Sequence, residues 1–275
     1  MQKTSASGKL TEMSGRIFLV NVGTNASHGF CSPIFEDRTF EFLPIPEDRR
    51  LPETLGITYR QLRSFYDPQQ DILKYVPENR KDCTSHNDPE FDTFTYGDNC
   101  DFNSRAMSLR NVSRGDYLLF ISRMELWKEG SATGEYGFYF PGFIHVDEII
   151  TSVRHSPERQ VRERFSVNAH VRRGDSDSAL WDSFWLFGGS SWSRRFYRAV
   201  PVTKQLCQDV FRTADGSEWK WKLDRTDLQT IGSYTRSCRC VLDPDIQSDQ
   251  NKICLLYTSD AADERSSVDL GGRRI

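Results

Sequence analysis

His86 is followed by Asn87 and Asp88, and a run of aromatic and polar residues containing Phe91, Phe94 and Tyr96 then closes on Asp98. An imidazole beside carboxylates equips a protein for general acid–base chemistry, provided their proton affinities are pushed apart. On that reading His28 or His86 is the general base and Asp88 or Asp98 its partner carboxylate. The same stretch also suits a base-binding pocket, which needs an aromatic platform and a few groups that read the base edge. Tyr96 or Phe94 would stack, and Asp98, Asp88 and Asn87 would make the hydrogen bonds. Aromatics also fill cores, and Asp and Asn also cap turns, so these residues alone leave both readings open.

Three further clusters carry polar chemistry. Asn21, Asn25, His28 and Ser32 follow a short apolar run, where ligands meet loops more often than the body of a sheet. Asn168, His170 and Arg172 alternate, and on a strand they would share one face, with Arg172 reaching phosphate and His170 orienting it. Trp192, Ser193, Arg194 and Arg195 pair an aromatic ring with cations, as a small phosphate-and-stack site would. An exposed polar face explains the second of these clusters equally well, and a basic surface turn is the commoner outcome for the third.

No metal is expected. Cys83 and His86 have ligand-like spacing and Cys100 follows, yet a fourth ligand is missing, and Cys238 and Cys240 lack a partner pair. The glycine pair Gly188-Gly189 has neither the spacing nor the lysine of a phosphate-binding loop, and no nucleophile elbow occurs. No cofactor is expected either.

The elements that must position these groups read as strands joined by long loops. Residues 16–22 form a first buried strand ending at Gly23, and residues 39–43 alternate as an edge strand stopped by Pro44 and Pro46. The clearest signal is a hairpin, with residues 114–122 turning into an apolar strand and residues 137–147 returning antiparallel. Residues 168–172 and 183–187 are further strand candidates. Short helices are expected over 104–112, 157–167 and 203–213, with weak helical character over 59–66. Strands without βαβ alternation predict an α+β fold, a mixed and mainly antiparallel sheet or a small open barrel with short helices.

Composition narrows the partners. The net charge of -3 gives no global basic field, so any nucleic-acid contact must be local. No apolar run approaches the roughly 20 residues that span a bilayer, and residues 1–15 lack the apolar core of a secretory signal. Seven cysteines without regular spacing suit reduced thiols. The expected setting is the cytoplasm. The expected organisation is a disordered leader (1–15), one domain (16–253) and a tail (254–275). That tail reads like one frame of a transposon-end sequencing adapter, and we set it aside as non-native.

Four stretches together resemble a known family: residues 20–29 with 32–35; residues 40–47; residues 86–91 with 95–98; and the Gly115-Asp116 turn with its strand. They are similar to the nucleotide-modification-associated domains of the third numbered type, found in bacterial and phage gene neighbourhoods concerned with altered DNA bases. The likeness runs over about residues 16–203 and includes residues 168–170 and 193–196. The turn and hairpin are also similar, more weakly, to PUA-like modules that flip a modified base into a pocket. The resemblance implies a setting, the handling of nucleotides or modified DNA, in which the first expectation is binding of DNA or a nucleotide with a modified base, in company with other proteins of a DNA-modification pathway. Two alternatives stand beside it, an enzyme of base or nucleotide modification and a non-catalytic adaptor. Clustering of His28, Asp98 and His170 in one pocket would favour binding or catalysis over the adaptor.

Overall fold

The computed structural model describes residues 15–245. The leader up to residue 14, the proposed tail and Cys254 lie outside the described residues. In chain order the strands are β1 (Ile17–Asn21), β2 (Ser32–Ile34), β3 (Ile45–Pro46), β4 (Ile57–Thr58), β5 (Thr84–His86), β6 (Thr95–Asp98), β7 (Tyr117–Lys128), β8 (Ser131–Val153), β9 (Phe184–Gly189), β10 (Arg194–Pro201) and β11 (Arg239–Leu242). The α-helices are α1 (Arg159–Arg164), α2 (Ala169–Ser176), α3 (Lys204–Val210) and α4 (Asp227–Tyr234).

β1 and β7 lie side by side and parallel, Ile17 opposite Tyr117 through Asn21 opposite Ile121. Their side chains alternate between two cores. Ile17, Leu19, Tyr117, Leu119 and Ile121 enter one, which is covered by Cys207 and Val210 of α3, by Phe211 and Trp219, and by Ile231 of α4. Phe18, Val20, Leu118 and Phe120 enter the other, with Phe40, Phe42, Leu109, Tyr96 and Phe187. Burial on both faces is why these strands read as almost unbroken apolar runs rather than as alternating ones.

The sheet runs β11-β1-β7-β8-β9-β6, with β10 added on β8 and β2 on β7. Most pairings are antiparallel and the path does not close, so the fold is a mixed α+β sheet and not a closed barrel. The expected hairpin is β7 and β8, in register from Tyr117 opposite His145 to Phe120 opposite Gly142. There the register slips, at Pro141, which has no N–H to give the ladder. β3, β5 and β4 make a small separate sheet over a core of Phe30, Leu43, Tyr59, Ile72 and Val76.

Two expected elements differ. Residues 39–43 pair with the sheet by backbone only through an isolated bridge between Ile34 and Phe40 among the described residues; Phe40 and Leu43 are fully buried, but the Leu43 N–H is satisfied by the Ser32 hydroxyl rather than by a strand. Residues 168–172 are not a strand. Asn168 caps the N-terminus of α2, its side chain accepting from the His170 N–H, and its carbonyl accepts from the Arg172 N–H. A short polar side chain that satisfies an orphan N–H outweighs a two-residue alternation.

Candidate functional site

A cavity of about 1060 Å³ opens at the carboxyl end of the β1/β7 pair. Its walls include Asn21, Asn25 and His28 from the turn after β1, His86 and Asp88 from the end of β5, Tyr96 and Asp98 from β6, and His170 from α2. Residues from four separate parts of the chain thus converge, and the cluster of His28, Asp98 and His170 stands in one pocket.

The innermost wall is built around His86. Its Nδ1 lies 2.8 Å from Oε2 of Glu47, a buried carboxylate that also stands 3.5 Å from Nε of Arg173. Burial pushes the Glu47 carboxyl up, but the His86 ring and the Arg173 guanidinium outweigh it and hold the group at about 2. The His86 and His170 rings meet edge to face at 4.8 Å. Asp88 follows, its Oδ2 accepting from the Gly97 N–H at 2.8 Å and lying 3.6 Å from His170 Nε2, too far for a hydrogen bond. Burial raises the Asp88 carboxyl well above its ordinary value and lowers the His170 imidazole well below its own. One ligand atom from each of His86, Asp88 and His170 lies within 4.8 Å of the others.

Asp98 sits beside this trio. Its Oδ2 accepts from the Tyr96 hydroxyl at 2.8 Å and its Oδ1 from the Asn99 N–H at 2.8 Å, while burial raises its proton affinity. The Tyr96 ring does not serve as a platform. It stacks on Phe187 at 6.2 Å and leans on Phe120 at 5.5 Å, so its hydroxyl edge is the part that addresses the cavity. Across the opening, Asn25 caps the turn of residues 26–28 through the Ser27 N–H, and His28 Nδ1 accepts from the Asn25 N–H. Burial and the nearby Arg80 lower the His28 imidazole. Asn21 reaches the Thr235 carbonyl at 3.3 Å.

Other predicted site residues lie elsewhere. Ser32 is fully buried and fastens residue 43. Asn168 is the α2 cap. Arg172 follows His170 by two residues on a helix, which turns it to the opposite side, where it lines a separate small pocket with Glu47 and Asn87. The expectation that Asn168, His170 and Arg172 share a strand face is therefore overturned. Arg194 donates to the carbonyls of Ser191 and Ser193 at 2.6 and 2.7 Å, bracing its own turn, and Arg195 is buried against Phe65, 3.8 Å from the ring centroid.

The cavity also uses residues that the sequence reading passed over, Arg105, Arg123, Arg225 and Arg236 with Phe138 and Gln229, and Cys238, which that reading weighed only as a metal ligand. The α4 segment that supplies several of them does carry a readable signal. Thr226 and Gln229 form a reciprocal capping box. Glu47 had a signal too, closing one of the quoted stretches, but nothing in the sequence says that it faces His86.

These observations define a class: a mixed-sheet α+β domain whose loops enclose a polar cavity with imidazoles and carboxylates at its base and arginines on its walls. Residues 16–252 match the family described as nucleotide modification associated domain 3, and the chain belongs to that family. No curated protein and no solved structure matches it. No helix among the described residues is long and apolar enough to cross a membrane.

Proposed function

We propose that the chain binds a nucleotide, or a modified base presented by DNA, in the cavity at the end of β1 and β7. One observation carries this reading: polar groups from Asn21 to Cys238 converge on a single space of about 1060 Å³, at the upper end of the few hundred to about 1,000 Å³ usual for ligand pockets. The arginines on its walls suit phosphate, and Asp98, Asn25 and the imidazoles suit the edge of a base. The reading takes residues 16–253 as one working unit, acting on DNA or nucleotides alongside other proteins of a modification pathway.

Fluorescence anisotropy at one fixed salt concentration, with matched oligonucleotides carrying unmodified or hydroxymethylated pyrimidines, tests it. Preference for one modified oligonucleotide, lost in Asp98→Asn, is expected. Equal or absent binding to every oligonucleotide and to free nucleotides would sink the reading and return attention to the adaptor alternative, with exposed Phe102 and Trp192 as its contact points.

A second reading has its own support. Glu47 holds Nδ1 of His86 as a carboxylate orients a general base, leaving Nε2 toward the cavity. An enzyme of base or nucleotide modification would use His86 in that way. It predicts product formation that vanishes in His86→Gln while nucleotide binding persists.

A further inference from the structure

We infer that His86, Asp88 and His170 form a binding site for a divalent transition-metal ion, with Glu47 as the group that orients His86. Two imidazoles and one carboxylate are a ligand set for first-row divalent metals, and three protein ligands leave coordination positions for water or substrate. Among the described residues, this trio is the set of His, Cys, Asp and Glu side chains whose ligand atoms come together, all within 4.8 Å. The Cys83, His86 and Cys100 grouping suggested by sequence spacing does not assemble.

Two features point to a cation, and a third shapes its seat. Asp88 is 6% exposed and its Oδ1 has no hydrogen-bond partner among the described residues, although the carboxylate is held through the Gly97 N–H on its other oxygen and the Asn168 side chain stands near it. A buried carboxylate oxygen without a donor is costly unless something positive faces it. His86 Nδ1 is engaged by Glu47 at 2.8 Å, the carboxylate–histidine pairing that fixes a ring with Nε2 presented to a metal. Gly97 completes the cradle: a Cβ there would stand 2.6 Å from Cδ2 of His170, so only glycine lets that ring lie against β6.

Metal bonds of about 2.0–2.2 Å set neighbouring ligand atoms about 3–3.5 Å apart. The trio must therefore draw in by roughly an ångström, within reach of side-chain torsions. All three residues line the cavity, so the open positions face the space in which a nucleotide would sit. A metal held there would be placed to polarise an oxygen or to lower the pKa of a coordinated water.

The site stands apart from the nucleotide reading, because it is tested with no nucleotide present. The full chain is stripped with a chelator and titrated with Co(II) and Zn(II) by calorimetry and visible absorption. One equivalent per chain is expected, with d–d bands for Co(II). Binding should weaken at least tenfold in His86→Ala and in Asp88→Asn, and by 10- to 100-fold in Glu47→Gln, but not in Cys83→Ser. Circular dichroism checks that each variant is folded. A second readout needs no variant. Of the five histidines, Co(II) should shift the imidazole resonances of His86 and His170 strongly and leave His145 and His155 near their diamagnetic positions. Substoichiometric binding by the wild type, equal binding by the folded His86→Ala and Asp88→Asn variants, or paramagnetic shifts centred on another histidine would each overturn the assignment. Metal binding without oligonucleotide binding would leave the site standing and remove the reader.

Discussion

At Gly97 the backbone of β6 and the chemistry of the site come closest. A Cβ at this position would meet Cδ2 of His170 at 2.6 Å and Oδ1 of Asn168 at 3.2 Å, the ring that lines the cavity and the cap that starts its helix. Gly97→Ala is expected to push the His170 ring aside at an overpacking cost of about 1–3 kcal/mol. Its melting point should fall by about 2–12 °C, while ligand affinity falls tenfold or more. Thermal denaturation and anisotropy on the same preparation check this. A full loss of stability with unchanged affinity in the folded fraction would show that His170 has no part in binding. The same scale explains why Tyr96 contributes an edge and not a face: Phe120 and Phe187 cover its ring, so Tyr96→Phe removes what the cavity sees, with little change to the core.

Among the elements, the β8/β9 edge shows how one carboxylate sets a strand's path. Asp101 accepts from the hydroxyls of Ser152 and Ser183 at 2.8 and 2.6 Å and from the Trp185 indole N–H at 3.1 Å. Both serines have positive φ, 52° and 70°, a region that costs an L-residue about 1–2 kcal/mol. They flank the place where the β8/β9 register slips between Ile150 and Val153. The hydrogen bond from Ser183, then that from Ser152, holds the Asp101 carboxyl below its ordinary 3.8. A carboxyl with a lowered folded-state pKa stabilises fully above its unfolded value and loses that contribution as pH falls through the folded one. Because this carboxylate is open to solvent its hydrogen bonds are screened, so Asp101→Asn should lower the urea midpoint only modestly at pH 7, with the gap between variant and wild type closing below about pH 4. Urea denaturation at pH 7 and pH 3 measures it, and a gap that does not depend on pH would contradict the assignment.

For the whole molecule, the net charge of -3 means that attraction to a polyanion has to be local, and on the proposed reading the cavity walls supply it. Arg105, Arg225 and Arg236 are exposed there, and Arg123 is half buried with its guanidinium 4.2 Å over the Tyr136 ring. If two of them meet phosphate, the slope of log K against log salt will be shallow, and Arg225→Ala or Arg236→Ala will reduce its magnitude by about 1 with no change in base preference. A steep slope that neither substitution alters would place the nucleic acid on another surface. The two-sided core is the other feature of this scale. Because β1 and β7 are covered by α3 and α4 on one face and by β6 and its neighbouring loops on the other, the turn after β1 is held from both sides and can wall a cavity beside Arg123 of β7.

Local signals in the sequence determined a good part of this protein. The apolar runs of β1, β7 and β8 and the turn at Gly115 specified strands and a hairpin, since burial on both faces leaves little room for another periodicity. The stretches around His28, His86 and Asp98 marked three walls of the cavity. What the tertiary structure alone decided is which groups meet. Asn168 was read as the start of a strand because alternation over five residues cannot be told from the first turn of a helix, and only the capping bond to the His170 N–H separates them. That single change turns His170 toward Asp88 and sends Arg172 the other way. Glu47 and His86 are far apart in sequence, as are Asp88 and His170, and a carboxylate gives no local sign of the imidazole it will face. Such pairings arise from how the layers stack and where the chain doubles back, and those are properties of the packed molecule rather than of any stretch of its sequence.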